Sequence, residues 1–193
     1  MNAAQKNGDG PTGRSLSGWK EAVLLIIIVS FIVLFAVFMV GKKKASVKIV
    51  AEGDVAPNFS LHTLDNRVVR LSDFKGRVVM LHFWATWCPP CVEEMPGIER
   101  LYKALKDSGL EILAVSVDED GASAVYPFMK KNNLTFPALL DPERSVASGY
   151  GTFKFPETYV IDRLGVVRFK AVGSLDWTHP ANMERIKEIV KER

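Results

Sequence analysis

The spacing of apolar residues along this chain changes several times, and each change marks an element. From Ala22 to Val40 run nineteen residues without a charge, AVLLIIIVSFIVLFAVFMV. A helix of that length rises about 28 Å, close to the roughly 30 Å apolar core of a bilayer. A helix buried in a globular domain would keep a polar face, and a secretory leader would have a shorter apolar region ending in small residues. This run ends instead in FMVGKKKAS, so the pattern predicts an uncleaved anchor in the lipid bilayer over residues 22–40. Residues 1–21 are rich in Gly, Ser and Asn without apolar periodicity, which predicts a disordered tail. Residues 41–53 read as a linker and residues 54–193 as one folded domain.

In the folded part, the sequence alternates on both sides of Asp65-Asn66, the mark of a β-hairpin. RVVMLHFWA (77–85) is a nearly unbroken apolar run and predicts a central strand buried on both faces. Beyond it, Val92, Met95, Ile98, Leu101, Tyr102 and Leu105 share one helical stripe. Pro96 lies inside that helix, where it should kink it, and Gly109 ends it. LEILAVSV (110–117) predicts the next strand. A helix over 121–132 follows, turning Val125, Phe128 and Met129 inward. FPALLD (136–141) comes next, then a short helical piece around 145–148. TYVID and VVRFKAV form a second hairpin through Arg163, Leu164 and Gly165. The last helix, about 180–192, buries Met183, Ile186, Ile189 and Val190. Strands alternating with helices, closed by a hairpin, predict one α/β domain.

Charge adds one exclusion and one conflict. The net charge of +3 is uneven: residues 1–44 carry +4 and residues 45–193 carry −1. The folded part shows no basic block, so nucleic acid is not an expected partner. Lys42, Lys43, Lys44 and Lys48 outweigh Lys6, Arg14 and Lys20 across the apolar run. By the positive-inside rule that balance leans toward a cytoplasmic domain.

The chain has two cysteines, Cys88 and Cys91, in FWATWCPPCVEEMP (83–96). They are too close to staple a fold, so they react or they bind. At a helix start, orphan N–H groups and the positive end of the dipole favour a thiolate on Cys88. Cys88 would then attack a partner disulfide, and Cys91 would resolve the mixed disulfide. Both prolines suit a first turn, where a missing N–H costs least. They leave the N–H groups of Cys91 and Val92 to face the sulfur, which predicts a moderately lowered pKa and a reducing pair. A zinc site needs about four ligands, and beyond the cysteines only His62, His82 and His179 are available. No metal or cofactor is therefore expected. The rivals are a peroxiredoxin-like peroxidase, which uses a lone attacking cysteine, and a metal-assembly module.

The stretch APNFSLHTLDNRVVRLSDFKGRVVMLHFWATWCPPCVEEMP, with YGTFKFPETYVID farther on, resembles the membrane-anchored thioredoxin-like proteins of the TlpA/ResA type. The resemblance covers roughly residues 54–193. It implies a thioredoxin-like fold with an extra N-terminal β-hairpin, and an enzyme that acts as a thiol:disulfide oxidoreductase. It also implies that Pro156 follows a cis peptide bond and lies against the cysteine pair, so that Phe155 can meet an incoming peptide. The Pro-Glu-Thr at 156–158 is similar to the cytochrome c maturation branch (the CcmG type), whose members keep apocytochrome cysteines reduced. Lys154 and Phe155 depart from that branch, which has smaller residues there. The family topology places the domain outside the cytoplasm, against the lysine balance, in the periplasm or its equivalent. There disulfides persist and a membrane thiol carrier must supply electrons.

Further residues complete the candidate site. His82 lies six positions before Cys88, where thioredoxins often hold a buried acid and anchored relatives an amide. It reads either as a general base near Cys91 or as a core histidine satisfied by a backbone carbonyl. Asp118 and Glu119 follow a strand, where related reductases can carry an acid; the alternative is a pair of solvated loop ends. Glu93 and Glu94 read as surface charges supporting the helix. Trp84 is expected beneath the active-site turn and Trp87 on its contact surface.

Overall fold

The computed structural model describes residues 17–41 and 49–192. Most of the expected tail and residues 42–48 of the expected linker lie outside them. Helix α1 (Ser17–Gly41) is a unit of its own. It starts ahead of the predicted residue 22, taking in Trp19, Lys20 and Glu21. By length and composition it can cross a membrane, and none of its apolar window is buried.

The second unit is built on a seven-stranded mixed sheet with the order β2-β1-β5-β4-β3-β6-β7. The hairpin at Asp65-Asn66 is present as β1 (Ser60–Thr63) and β2 (Val68–Arg70), antiparallel, with Asn66 at φ 61°. Asn tolerates this left-handed conformation better than most residues. Strand β3 (Val78–Trp84) is buried along its whole length, as its unbroken apolar run requires. It pairs in parallel with β4 (Leu110–Ser116) and antiparallel with β6 (Glu157–Ile161). Strand β5 (Ala138–Leu140) joins β4 to the N-terminal hairpin, and β7 (Val167–Val172) closes the other edge.

Helix α2 (Pro89–Leu105) begins immediately after Cys88 and buries Met95, Ile98, Leu101 and Leu105. Its C-terminus passes into a 3-10 turn, Lys106–Ser108, before Gly109 at φ 103° reverses the chain. Helices α3 (Ala122–Lys131), α4 (Ser145–Tyr150) and α5 (Pro180–Lys191) follow the expected positions within a few residues.

Side chains alternate across β3, which gives the sheet two distinct faces. Phe83 packs against Tyr150 and Tyr159 on one of them. His82 and Trp84 occupy the other, where Trp84 meets Phe128 of α3 and His82 meets Glu94 of α2. The core therefore continues on both sides of the strand that leads into the cysteines.

Among the described residues, 49–53 already lie against the domain, ahead of the boundary expected at residue 54. Residues 49–53, expected as linker, carry no strong apolar pattern. In the structure Val50 is buried, and this segment is hydrogen-bonded to the domain.

Candidate active site

Cys88 is the N-cap of α2, and Pro89 and Pro90 fill its first two helical positions. Cys88 and Cys91 form a disulfide with their Cα atoms 5.3 Å apart, so the structure is the oxidised form. Cys91 is fully buried, while Cys88 keeps 5% of its surface. That asymmetry matches an attacking and a resolving sulfur. One expected detail changes: the Val92 N–H donates to the Cys88 carbonyl at 3.1 Å, as an α-helix demands. The turn therefore offers the sulfur the Cys91 N–H rather than two donors.

The loop before Cys88 is held by Asp118. This buried carboxylate accepts from the Thr86 N–H at 3.0 Å, the Thr86 hydroxyl at 2.5 Å and the Ser116 hydroxyl at 2.7 Å. It is a loop anchor with its acceptor capacity in use. Glu119 turns away: its side chain is 82% exposed and faces Arg144 at 3.6 Å. Of the two readings of Glu119, an acid near the site or a solvated loop end, this exposure supports the second, because a solvated carboxylate is not joined to the buried site.

The acid that the structure does bring in is Glu94, expected on the surface. The first turns of α2 put Glu93 outside and Glu94 inside. Its Oε2 accepts from the Leu175 N–H and the Trp177 indole N–H, each at 3.0 Å. Its Oε1 lies 3.5 Å from His82 Nε2. Burial pushes the Glu94 carboxyl up to about 7, against the hydrogen bonds that favour its charge. Burial also pulls His82 down to about 3. With the imidazole neutral, the two do not form an ion pair. Neither Nε2 nor Oε1 makes a hydrogen bond among the described residues, and the two atoms face each other at 3.5 Å. On the other side of the ring, His82 Nδ1 lies 2.9 Å from the Thr158 hydroxyl. The partner of His82 is therefore a side chain, not the backbone carbonyl considered above. A cleft of about 200 Å³ between α2 and the 174–177 loop is also lined by Glu94.

Sequence spacing held one clue to Glu94. It sits three residues beyond Cys91, on the same side of the helix. What it lacked was any sign that the distant segment Leu175–Trp177 would cover that side.

The Phe155–Pro156 peptide bond is cis. Pro156 leads directly into β6, where Thr158 pairs with His82 across the strands. Trp87 is 56% exposed, stands edge-on to Phe155 with ring centroids 6.4 Å apart, and lies under Arg144 at 5.8 Å. Trp84 is fully buried, as expected.

Residues 52–170 match the AhpC/TSA family. The ResA thiol-disulfide oxidoreductase of Bacillus subtilis is 37% identical over 158 residues, covering 81% of this chain and 84% of that protein. The chain belongs to the AhpC/TSA family, as a ResA-like, thioredoxin-type thiol–disulfide oxidoreductase. A second B. subtilis relative, the thioredoxin-like protein YneN, is 36% identical over 162 residues, covering 83% of this chain and 92% of that one. Among solved structures, a thiol:disulfide interchange protein DsbE from Chlorobium tepidum superposes with a TM-score of 0.64 at 32% identity. It covers 73% of this chain and 96% of its own. StoA of B. subtilis gives a TM-score of 0.58 at 26% identity, over 71% of this chain and 98% of its own. This ResA-like enzyme carries Pro-Pro between its cysteines.

Proposed function

We propose that this enzyme is a membrane-anchored reductant of protein disulfides, with α1 in the bilayer and the catalytic unit outside the cytoplasm. The observation that carries the reading is the disulfide at the head of α2, with Cys88 at the N-cap keeping a little exposure and Cys91 fully buried. In the reduced enzyme, the Cys88 thiolate attacks a substrate sulfur. The substrate S–S bond breaks, and the departing thiolate takes a proton from water. Cys91 then loses its proton and attacks Cys88, which frees the second substrate thiolate. The enzyme is left as the disulfide, having given two electrons to the substrate and released the Cys91 proton, and both substrate thiolates are protonated from water. Restoring the dithiol requires a membrane thiol donor of the same two-electron class.

Glu94 is suited to store the proton that Cys91 gives up. With its carboxyl near half-ionised at neutral pH, it can accept a proton and hold it against His82 Nε2. The adjoining cleft offers exchange with solvent. Trp87 and Phe155 form the aromatic contact surface for the peptide, and Pro156 positions its edge. Oxidised cysteine pairs of apocytochromes are the leading substrates, since Pro-Glu-Thr at 156–158 is similar to the cytochrome c maturation branch.

Expressing the full chain as Cys91→Ser in cells tests this reading. The variant should accumulate mixed disulfides on Cys88 with extracytoplasmic proteins. Recovery of apocytochromes supports the maturation role, whereas unrelated secreted proteins would replace it with general disulfide repair. Absence of any trapped partner would overturn the reductant assignment.

A further inference from the structure

The segment that leads from the membrane helix into the domain is bonded to both ends of the loop that precedes β6. At one end, the Val50 N–H donates to the Tyr150 carbonyl at 3.0 Å. Ile49 passes so close to Gly151 that a Cβ there would lie 2.7 Å from the Ile49 Cα. At the other end, the connection runs through Lys170. Its ammonium donates to the Val50 carbonyl at 2.9 Å and meets the Glu157 carboxylate at 2.8 Å. Glu157 is the residue immediately after Pro156, is itself buried, and also accepts from the Tyr159 hydroxyl at 2.7 Å. Lys170 further lies 4.8 Å from the centre of the Tyr159 ring. Its backbone N–H donates to Glu52 at 2.9 Å, so the segment is gripped twice.

We propose that residues 49–52 are a working part of the substrate-contact loop, and that Lys170 is the positioning residue that joins the two. The loop is braced on both faces of the sheet. Thr158 and His82 hold it on the α2 face, and Glu157, Lys170 and the strap hold it on the other. A carboxylate buried beside Pro156 needs its cation, since an unpaired buried charge is costly. The strap supplies a further acceptor to that cation and, by covering it, strengthens the pair through exclusion of water. Burial alone would lower the Lys170 pKa, but its bonds to Glu157 and Tyr159 outweigh that and raise it. The ammonium therefore stays charged, and the brace stays closed, across the neutral range. Withdrawing either grip lets the Phe155–Pro156 edge move relative to Cys88, which weakens binding of an extended peptide more than it alters the sulfur chemistry.

The inference rests on the reading of Phe155–Pro156 as the peptide-contact edge. It is tested with the full-length enzyme in detergent, with insulin as the disulfide substrate and a dithiol as the electron source. Lys170→Met should raise KM about fivefold with kcat within twofold of the parent, a split that general unfolding would not give. Lys170→Arg should recover most of the loss. Glu52→Ala removes the side-chain grip of the strap on the Lys170 backbone, leaves the Lys170–Glu157 pair intact and should raise KM about two- to threefold. An unchanged KM in either Lys170→Met or Glu52→Ala overturns the inference, as does a parallel loss of kcat that arginine does not restore. Phe155→Ala separates the two layers: if it raises KM while Lys170→Met does not, the strap inference fails alone. If Phe155→Ala also leaves KM unchanged, the contact edge itself is wrong and the inference falls with it.

Discussion

Glu94 and His82 face each other across the interior with Oε1 and Nε2 3.5 Å apart, the carboxyl raised to about 7 by burial and the imidazole held neutral. Neither atom has a hydrogen bond of its own among the described residues, and Glu94, three residues beyond Cys91, shares a helix face with it. Four expected outcomes follow from this arrangement and from the contacts around it.

The first concerns proton transfer. His82→Asn and Glu94→Gln should each slow resolution of the mixed disulfide by about tenfold, at the low end for loss of one acid–base group. The inflection near pH 7 should disappear from the rate profile of Glu94→Gln. Stopped-flow exchange between pH 5 and 9 measures both, and unchanged profiles in the two variants would remove the pair from the mechanism.

The second concerns stability, where the two groups act with opposite sign. The folded pKa of Glu94 is raised from 4.5 to about 7, so its stabilisation is complete below 4.5 and is lost as pH climbs through 7. The folded pKa of His82 is depressed from 6.5 to about 3, so its contribution is complete above 6.5 and is lost as pH falls through 3. Between pH 4.5 and 6.5 the unfolded chain protonates His82 while the folded one protonates Glu94, and the proton counts cancel. The oxidised protein should therefore show a nearly flat urea midpoint over that range. His82→Asn leaves Glu94 uncompensated, so stability should fall with rising pH by about 1.4 kcal/mol per unit. A flat curve in that variant would contradict the assigned protonation states.

Asp118 is expected to matter through the loop it ties down. Asp118→Ala leaves the Thr86 N–H, the Thr86 hydroxyl and the Ser116 hydroxyl without their acceptor. A loss of about 2–3 kcal/mol is expected, with a smaller one for Asp118→Asn, which keeps an acceptor oxygen. Equilibrium urea unfolding checks the order.

Gly151 and Gly165 provide an internal control for the strap. Both have positive φ, 72° and 87°, but a Cβ at Gly165 meets nothing within 4 Å, whereas at Gly151 it meets the Ile49 backbone. Each change to Ala should cost about 1–2 kcal/mol for the backbone conformation. Gly151→Ala should cost at least about 1 kcal/mol more, because the strap must move to relieve the overlap. Equal losses by calorimetry would mean that the strap yields freely.

Local pattern determined a good deal of this protein. The nineteen-residue uncharged run, the β3 run, the stripe on α2 and the turn at Asp65-Asn66 each carry their meaning in a short window. Cys88 and Cys91 declare their chemistry the same way, because a dithiol at a helix start needs only its neighbours to be recognised. The tertiary structure decided what depends on distant segments. Glu94 and Glu93 are adjacent identical residues, and only the arrival of Leu175 and Trp177 makes one of them an interior acid. Glu119 had the same residue type as Glu94 and stayed in water. Residues 49–52 carry no periodicity, and they become part of the site because Tyr150 and Lys170, about a hundred residues away, supply the groups that bind them. Burial sets the protonation of a carboxyl, and burial is a property of what packs over it.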